Sequence, residues 1–273
     1  MALSLLVLTN FFQPADHALA YADALARALG ARLVLLHVRR DSLLDPEHLS
    51  GRVDTLNQET INLALASLTQ RLAAPATAEM AHGQMAEAVA AALARHQPAL
   101  VVLGRRDTDN TPEELVSTAA LDILRAAPQP MLVVPMGAAP TVPHRLLLAL
   151  DAEPFSLGPH ADLVRHLFSA LPAALTVLHV APDQGSAATG TAAAVEALER
   201  TGLALDLSGG LASRTLVHAS PAGGILEVAA TGEFDAVVLV ARPRSFLGAL
   251  FHRSVTAHVL LHSSLPVLVL PTA

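Results

Sequence analysis

This chain repeats itself, and no other feature of the sequence limits its fold more. Four segments recur in the same order at an offset of about 140 residues. RLVLLHV ending at Val38 matches ALTVLHV ending at Val180, and HGQMAEAV from His82 matches HASPAGGI from His218. ALVVLGRRD from Ala99 matches DAVVLVARP from Asp235. STAALDILRAAPQPMLVVP from Ser117 matches SVTAHVLLHSSLPVLVLP from Ser254, aligned on Pro130 and Pro266. One duplicated unit explains all four, and 273 residues suit two domains of ordinary size, each able to bury its own core. The stretch MGAAPTVPH from Met136 holds two prolines and a glycine and reads as a short connector. The expected division is therefore 1–136, a linker at 137–144, and 145–273.

Within each unit, short leucine-rich or β-branched runs alternate with longer Ala/Leu segments that place apolar residues at helical spacing. The first half has candidate strands at Leu3 to Thr9, Arg32 to Val38, Ala76 to His82, Leu100 to Gly104 and Met131 to Val134. Asp16 to Leu29 sets Ala20, Leu25 and Leu29 near one face and stops at Gly30, a residue suited to the left-handed turn that closes helices. Strands such as LVVL and AVVLV are apolar at consecutive positions, the pattern of a parallel sheet covered on both faces. The fold class is α/β: two tandem doubly wound domains, each with a mainly five-stranded parallel sheet. The second half repeats the pattern from Arg145, while Gly202 to Leu211 is irregular and takes no assignment.

Composition narrows function. Hydrophobic residues make up 52% of the chain and charged residues only 15%, against a usual quarter, so a disordered chain is excluded. A net charge of −7 with no dense Lys/Arg tract gives no attraction to nucleic acid or to anionic lipid. The absence of cysteine removes disulfides, thiol catalysis and thiolate metal sites. The run LSLLVL lacks the cationic flank and length of a signal peptide, and no apolar run reaches the ~18 residues of a spanning helix. The expectation is a soluble cytoplasmic protein.

In order and in duplicate, these segments resemble the universal stress proteins over nearly the whole chain. LLVLTNFFQPADHALAYADALARALGARLVLLHV is similar to that family's first strand, first helix and second strand, and LRAAPQPMLVVP and LLHSSLPVLVLP to its last helix and strand. The resemblance implies an adenine nucleotide hydrolase-like α/β fold and, as ligand class, ATP or another adenine nucleotide. It also implies dimers built by pairing last strands. The two halves of this chain are therefore expected to form an intramolecular pseudo-dimer through MLVVP and PVLVLP, which would otherwise be exposed apolar edges.

Nucleotide-binding members carry Gly-x2-Gly-x9-Gly followed by Ser or Thr after the fourth strand, where glycines let backbone amides approach a phosphate. The first half keeps Gly104 and Thr118 but has Asp107 and Ser117 at the other glycine positions, and Asp107, Asp109, Glu113 and Glu114 make the loop acidic. In the second half the glycine positions fall on Val240, Pro243 and Arg253, so the signature is lost. Ser254, Val255 and Thr256 remain, and Arg242, Arg244, His252 and Arg253 make that loop basic, which suits an anion. The acidic residue on the adenine side corresponds to Asp151 in the second half and Asn10 in the first. The valine whose main chain meets adenine corresponds to Val180 and Val38. The resemblance thus puts the better-equipped candidate site in the C-terminal domain.

Each residue has a plainer reading. Asp151 could end a strand and cap its turn. The arginines could form a solvated cluster or a bridge to the other domain. His258 and His262 share a helical face without a third ligand, and His37, His179, His82 and His218 read as repeated structural positions at the sheet's carboxyl edge, where ligands also bind. No Gly-x-Ser-x-Gly elbow or Walker A sequence occurs. The expectation is a stress-response binding or regulatory module with degenerate nucleotide motifs, without a metal and not a dedicated enzyme. The alternative is a slow ATPase in which Ser254, Thr256 and Arg253 hold phosphates and Asp151 the base.

Overall fold

A computed structural model describes residues 3–10, 13–39, 51–105, 113–205, 207–242 and 254–272. The N-terminal half runs β1 (Ser4–Thr9), α1 (Gln13–Leu29), β2 (Arg32–Arg39), α2 (Gly51–Arg71), β3 (Ala76–His82), α3 (Met85–His96), β4 (Leu100–Arg105), α4 (Glu113–Ala126) and β5 (Met131–Pro135). The C-terminal half runs β6 (Arg145–Ala149), α5 (Ala161–Ala170), β7 (Ala174–Ala181), α6 (Gln184–Arg200), β8 (Leu211–Val217), α7 (Pro221–Ala229), β9 (Ala236–Ala241), α8 (Val255–His262) and β10 (Val267–Pro271). The five strands expected in the first half are all present, each within a residue of its expected ends. Helix α1 starts three residues earlier than its apolar spacing suggests, at Gln13, and closes at Gly30 with a φ of 59°.

The strands form one ten-stranded sheet in the order β3-β2-β1-β4-β5-β10-β9-β6-β7-β8. Every neighbouring pair is parallel except the central one, β5 with β10, which is antiparallel in the register Val267↔Val133, Leu268↔Leu132, Val269↔Met131. The last strands therefore pair as expected, and the two halves make a pseudo-dimer with a continuous sheet. Pairing removes two edges of consecutive apolar residues, and all six paired residues are buried. Two hydrophobic layers flank the sheet, and both run through both halves. One contains Tyr21 and Leu25 of α1 with Val164 and Phe168 of α5, and the other Ile123 and Leu124 of α4 with Val259 and Leu260 of α8.

The connector is held at both ends. A ring nitrogen of His17 on α1 hydrogen-bonds the Ala138 carbonyl. The Asp235 carboxylate accepts from the backbone amides of His144 and Arg145, both at 2.9 Å, and forks onto the Arg145 guanidinium. The irregular stretch before β8 is turns, with Leu211 already in the strand. Its glycines have a cause: a Cβ on Gly209 would lie 2.3 Å from the Ala174 backbone nitrogen, and Gly210 (φ 84°) accepts from the Leu175 amide. No described helix is long and apolar enough to cross a membrane.

Candidate functional site

In each half the chain leaves its first strand toward one side of the sheet and later returns on the other. The order reverses between β1 and β4, and again between β6 and β9. A crevice opens at the carboxyl ends of such strands, where ligands bind in doubly wound sheets.

In the C-terminal crevice, Asp151 follows β6 and Arg242 follows β9, so the topology brings them together across the switch point. The guanidinium forks onto the carboxylate, with Nε donating to Oδ2 at 3.0 Å and Nη2 to Oδ1 at 2.8 Å. Nη1 also donates to the Pro154 carbonyl at 3.0 Å and Nη2 to that of Glu153 at 2.9 Å. This planar, charge-assisted geometry is the strong form of the Arg–carboxylate pair. The Arg242 side chain is only 15% exposed, while the carboxylate of Asp151 remains half exposed. Asp151 also accepts from the Glu153 amide at 3.2 Å across a turn in which Ala152 has a φ of 67°. The turn-forming use of this aspartate and an arginine bridge are thus both present, the bridge lying within the domain instead of reaching the other one.

Ser254 caps α8: its Oγ accepts from the Ala257 amide at 3.1 Å, as an N-cap serine does. Thr256 is buried and Val255 exposed. Val180 is half-buried under α7, where a Cβ on Gly224 would sit 2.8 Å from Val180 Cγ1. Ser220 caps α7 by accepting from the Gly223 amide. Arg253, together with Pro243, Arg244 and His252, lies outside the described residues.

The N-terminal crevice is finished differently. Asn10 is exposed just after β1, Val38 is half-buried in β2, and Gly104 lies in β4 in register with Val134. Thr118 lies on α4 with Ser117, Glu113 and Glu114, while Asp107 and Asp109 lie outside the described residues. The Thr9 hydroxyl, on a residue 4% exposed, is buried without a hydrogen-bond partner among the described residues. An orphan hydroxyl is costly, of order 1–3 kcal/mol.

The paired histidines are structural at this edge. His37 Nδ1 meets the Thr9 carbonyl at 3.0 Å, and His179 Nδ1 meets that of Leu150 at 3.2 Å, the same contact in each half. Burial lowers the pKa of His37, the bond to Thr9 opposing this in part. His258 and His262 stack with ring centroids 4.3 Å apart, and no group of three metal-ligating side chains occurs among the described residues.

Sequence reasoning missed Arg105, the residue after Gly104. It is 8% exposed, and its guanidinium leaves its own domain to reach the carbonyls ending α8. The repeat carried a signal, since Ala241 stands at the corresponding place.

An α/β sheet with two switch-point crevices, one per repeat, defines a tandem doubly wound protein. The chain belongs to the universal stress protein family, whose profile matches residues 1–135 and 143–271. A universal stress protein from Archaeoglobus fulgidus DSM 4304 shares the fold at 15% identity and a TM-score of 0.72, over 98% of each chain. A functionally unknown protein from Pseudomonas aeruginosa PAO1 is 20% identical with a TM-score of 0.59, over 98% of this chain and 92% of its own. No curated protein matches the sequence.

Proposed function

We propose that this tandem universal stress protein is a stress-response binding or regulatory module with degenerate nucleotide-binding motifs, and not a dedicated enzyme. The observation that carries this reading is the Arg242–Asp151 fork. One of the arginines at the crevice and the carboxylate suited to a base or ribose satisfy each other. A phosphate ligand has to displace Asp151 from a guanidinium that also holds two backbone carbonyls. Val240 and Pro243 add to the barrier, because one places a side chain and the other removes an amide donor where nucleotide binders have glycine. An adenine nucleotide that does bind goes to the C-terminal domain, on Asp151, Val180, Arg242, Arg253, Ser254, Val255 and Thr256. Asn10, Val38, Gly104 and Thr118 form the weaker alternative. The ATPase reading is disfavoured by the same pair. The test is to denature freshly purified protein and quantify released nucleotide. The expected yield is far below one per chain, and stoichiometric ATP would favour the ATPase reading instead.

A further inference from the structure

The C-terminal turn of a helix leaves carbonyls without intrahelical partners, and a cation there also meets the negative end of the helix dipole. In α8 those carbonyls are served from the other domain. Arg105 Nη1 donates to the carbonyls of Leu260, at 3.0 Å, and Leu261, and Nη2 donates to that of Ser263 at 2.6 Å. The guanidinium is buried, so its charge depends on such hydrogen bonds to be tolerated. Ser263 fixes the corner that follows, its Oγ donating to the Leu265 carbonyl and accepting from the Leu265 amide before β10 begins. Beside this contact lies a small cavity of about 20 Å³ lined by Gly104, Leu121, Val133 and Leu261, room for about one water.

Helix α8 has eight residues, so about 12 Å of rigid rod separates Arg105 from Ser254. One end of the rod is held by the residue after Gly104, at the mouth of the N-terminal crevice, and the other end enters the C-terminal crevice. The repeat does not return the favour, because Ala241 has no side chain to reach α4. We infer that Arg105 is a positioning residue through which the N-terminal domain sets the placement of α8, and with it Ser254 and Thr256, in the C-terminal crevice. A displacement of the carboxyl end of β4 is transmitted along the helix as a unit. The relevance of the far end to a ligand rests on the reading above, whereas the coupling itself does not.

Hydrogen exchange of the full chain, read by mass spectrometry without any ligand, tests this independently of nucleotide binding. Arg105→Met should accelerate exchange at least tenfold throughout α8, including the Ala257 and His258 amides at its far end, while α7 and β7 keep wild-type rates. Arg105→Lys, which keeps the charge but loses the fork and disturbs folding less, should give the same pattern at smaller amplitude. Acceleration spread evenly over the C-terminal half would make Arg105 a contributor to global stability only. Acceleration confined to residues 260–263, or none in either variant, would show that the helix does not transmit the contact. Any of these three results overturns the inference.

Discussion

The two halves share a strand order and a switch point, yet their crevices are built to different tolerances. In the C-terminal half, Gly223 and Gly224 let α7 press onto His218 and Val180, and Ser220 caps the helix. The N-terminal half has Glu87 and Ala88 at the corresponding places, and Gln84 makes no side-chain cap to α3. Arg242 is spent on Asp151 inside its own domain, whereas Arg105 serves the neighbouring domain. Thr9 keeps a buried hydroxyl without a partner among the described residues, and Leu150 replaces it beside the equivalent histidine. The two halves thus keep the same inner strands, which are buried on both faces, and differ in the crevice residues, which the sheet does not need.

The largest expected effect breaks what the halves share. Leu268→Asp places a charge in the central β5–β10 pairing, where Leu268 faces Leu132 and is buried. An unpaired buried charge should cost about 3–5 kcal/mol, a large share of the about 5–15 kcal/mol that holds an ordinary protein folded. Urea denaturation would show this as a large fall in the midpoint, and a near-native midpoint would mean that the two halves do not depend on the seam.

A smaller effect sharpens the contrast between α7 and α3. Gly224→Ala gains helix propensity of up to about 1 kcal/mol but drives a methyl to 2.8 Å from Val180 Cγ1 and 3.2 Å from His218 Cβ. Valine is stiff at χ1 and cannot yield, and overpacking costs about 1–3 kcal/mol, so the net change should be destabilising. The reciprocal Ala88→Gly should also destabilise, by about 1 kcal/mol, through propensity and lost packing. If Gly224→Ala raised the melting temperature, the close approach of α7 would be refuted.

The smallest effects are electrostatic. Burial raises the pKa of the Glu79 carboxyl, but hydrogen bonds from His96 at 3.0 Å and Arg95 at 2.8 Å outweigh this and hold it below the usual carboxylate range. A carboxylate with a depressed folded pKa stabilises fully above its unfolded value, about 4.3, and loses that contribution as pH falls through the folded value. Glu79→Gln should therefore cost about 1 kcal/mol at pH 7 and nothing at the acid end, flattening the acid limb of stability against pH. In the C-terminal half, hydrogen bonds from Arg214 and Thr231 also hold the Glu233 carboxyl below the usual range, but that pair is solvent-exposed and screened, so Glu233→Gln should flatten the same curve less than Glu79→Gln does.

The inner strands were legible because they are buried on both faces and so read as apolar runs, as LVVL at Leu100 and VLVLP at Val267 do, whereas the edge strands β3 and β8 are largely exposed. The pairing of β5 with β10 followed from those same runs and from the family resemblance. The start of α1 was less legible, because Gln13 to Ala15 precede the apolar stripe. The crevice was legible only by position. Sequence could place Asp151 and Arg242 at neighbouring strand ends, but the fork between them depends on a turn through Ala152 with positive φ, which no residue type there announces. Arg105 was hidden for a related reason, since its partners are backbone carbonyls more than 150 residues away that carry no side-chain signal.

The asymmetry of the two crevices is tested most directly by calorimetric titration of ATP into the wild-type protein and into Arg253→Ala. The account predicts weak binding in the C-terminal domain, about millimolar at best, and at least a roughly tenfold further loss when the arginine is removed, as expected for a charge-assisted phosphate contact worth about 1.5–3 kcal/mol. Micromolar binding that ignores the Arg253 change, or nucleotide located beside Gly104, would contradict it.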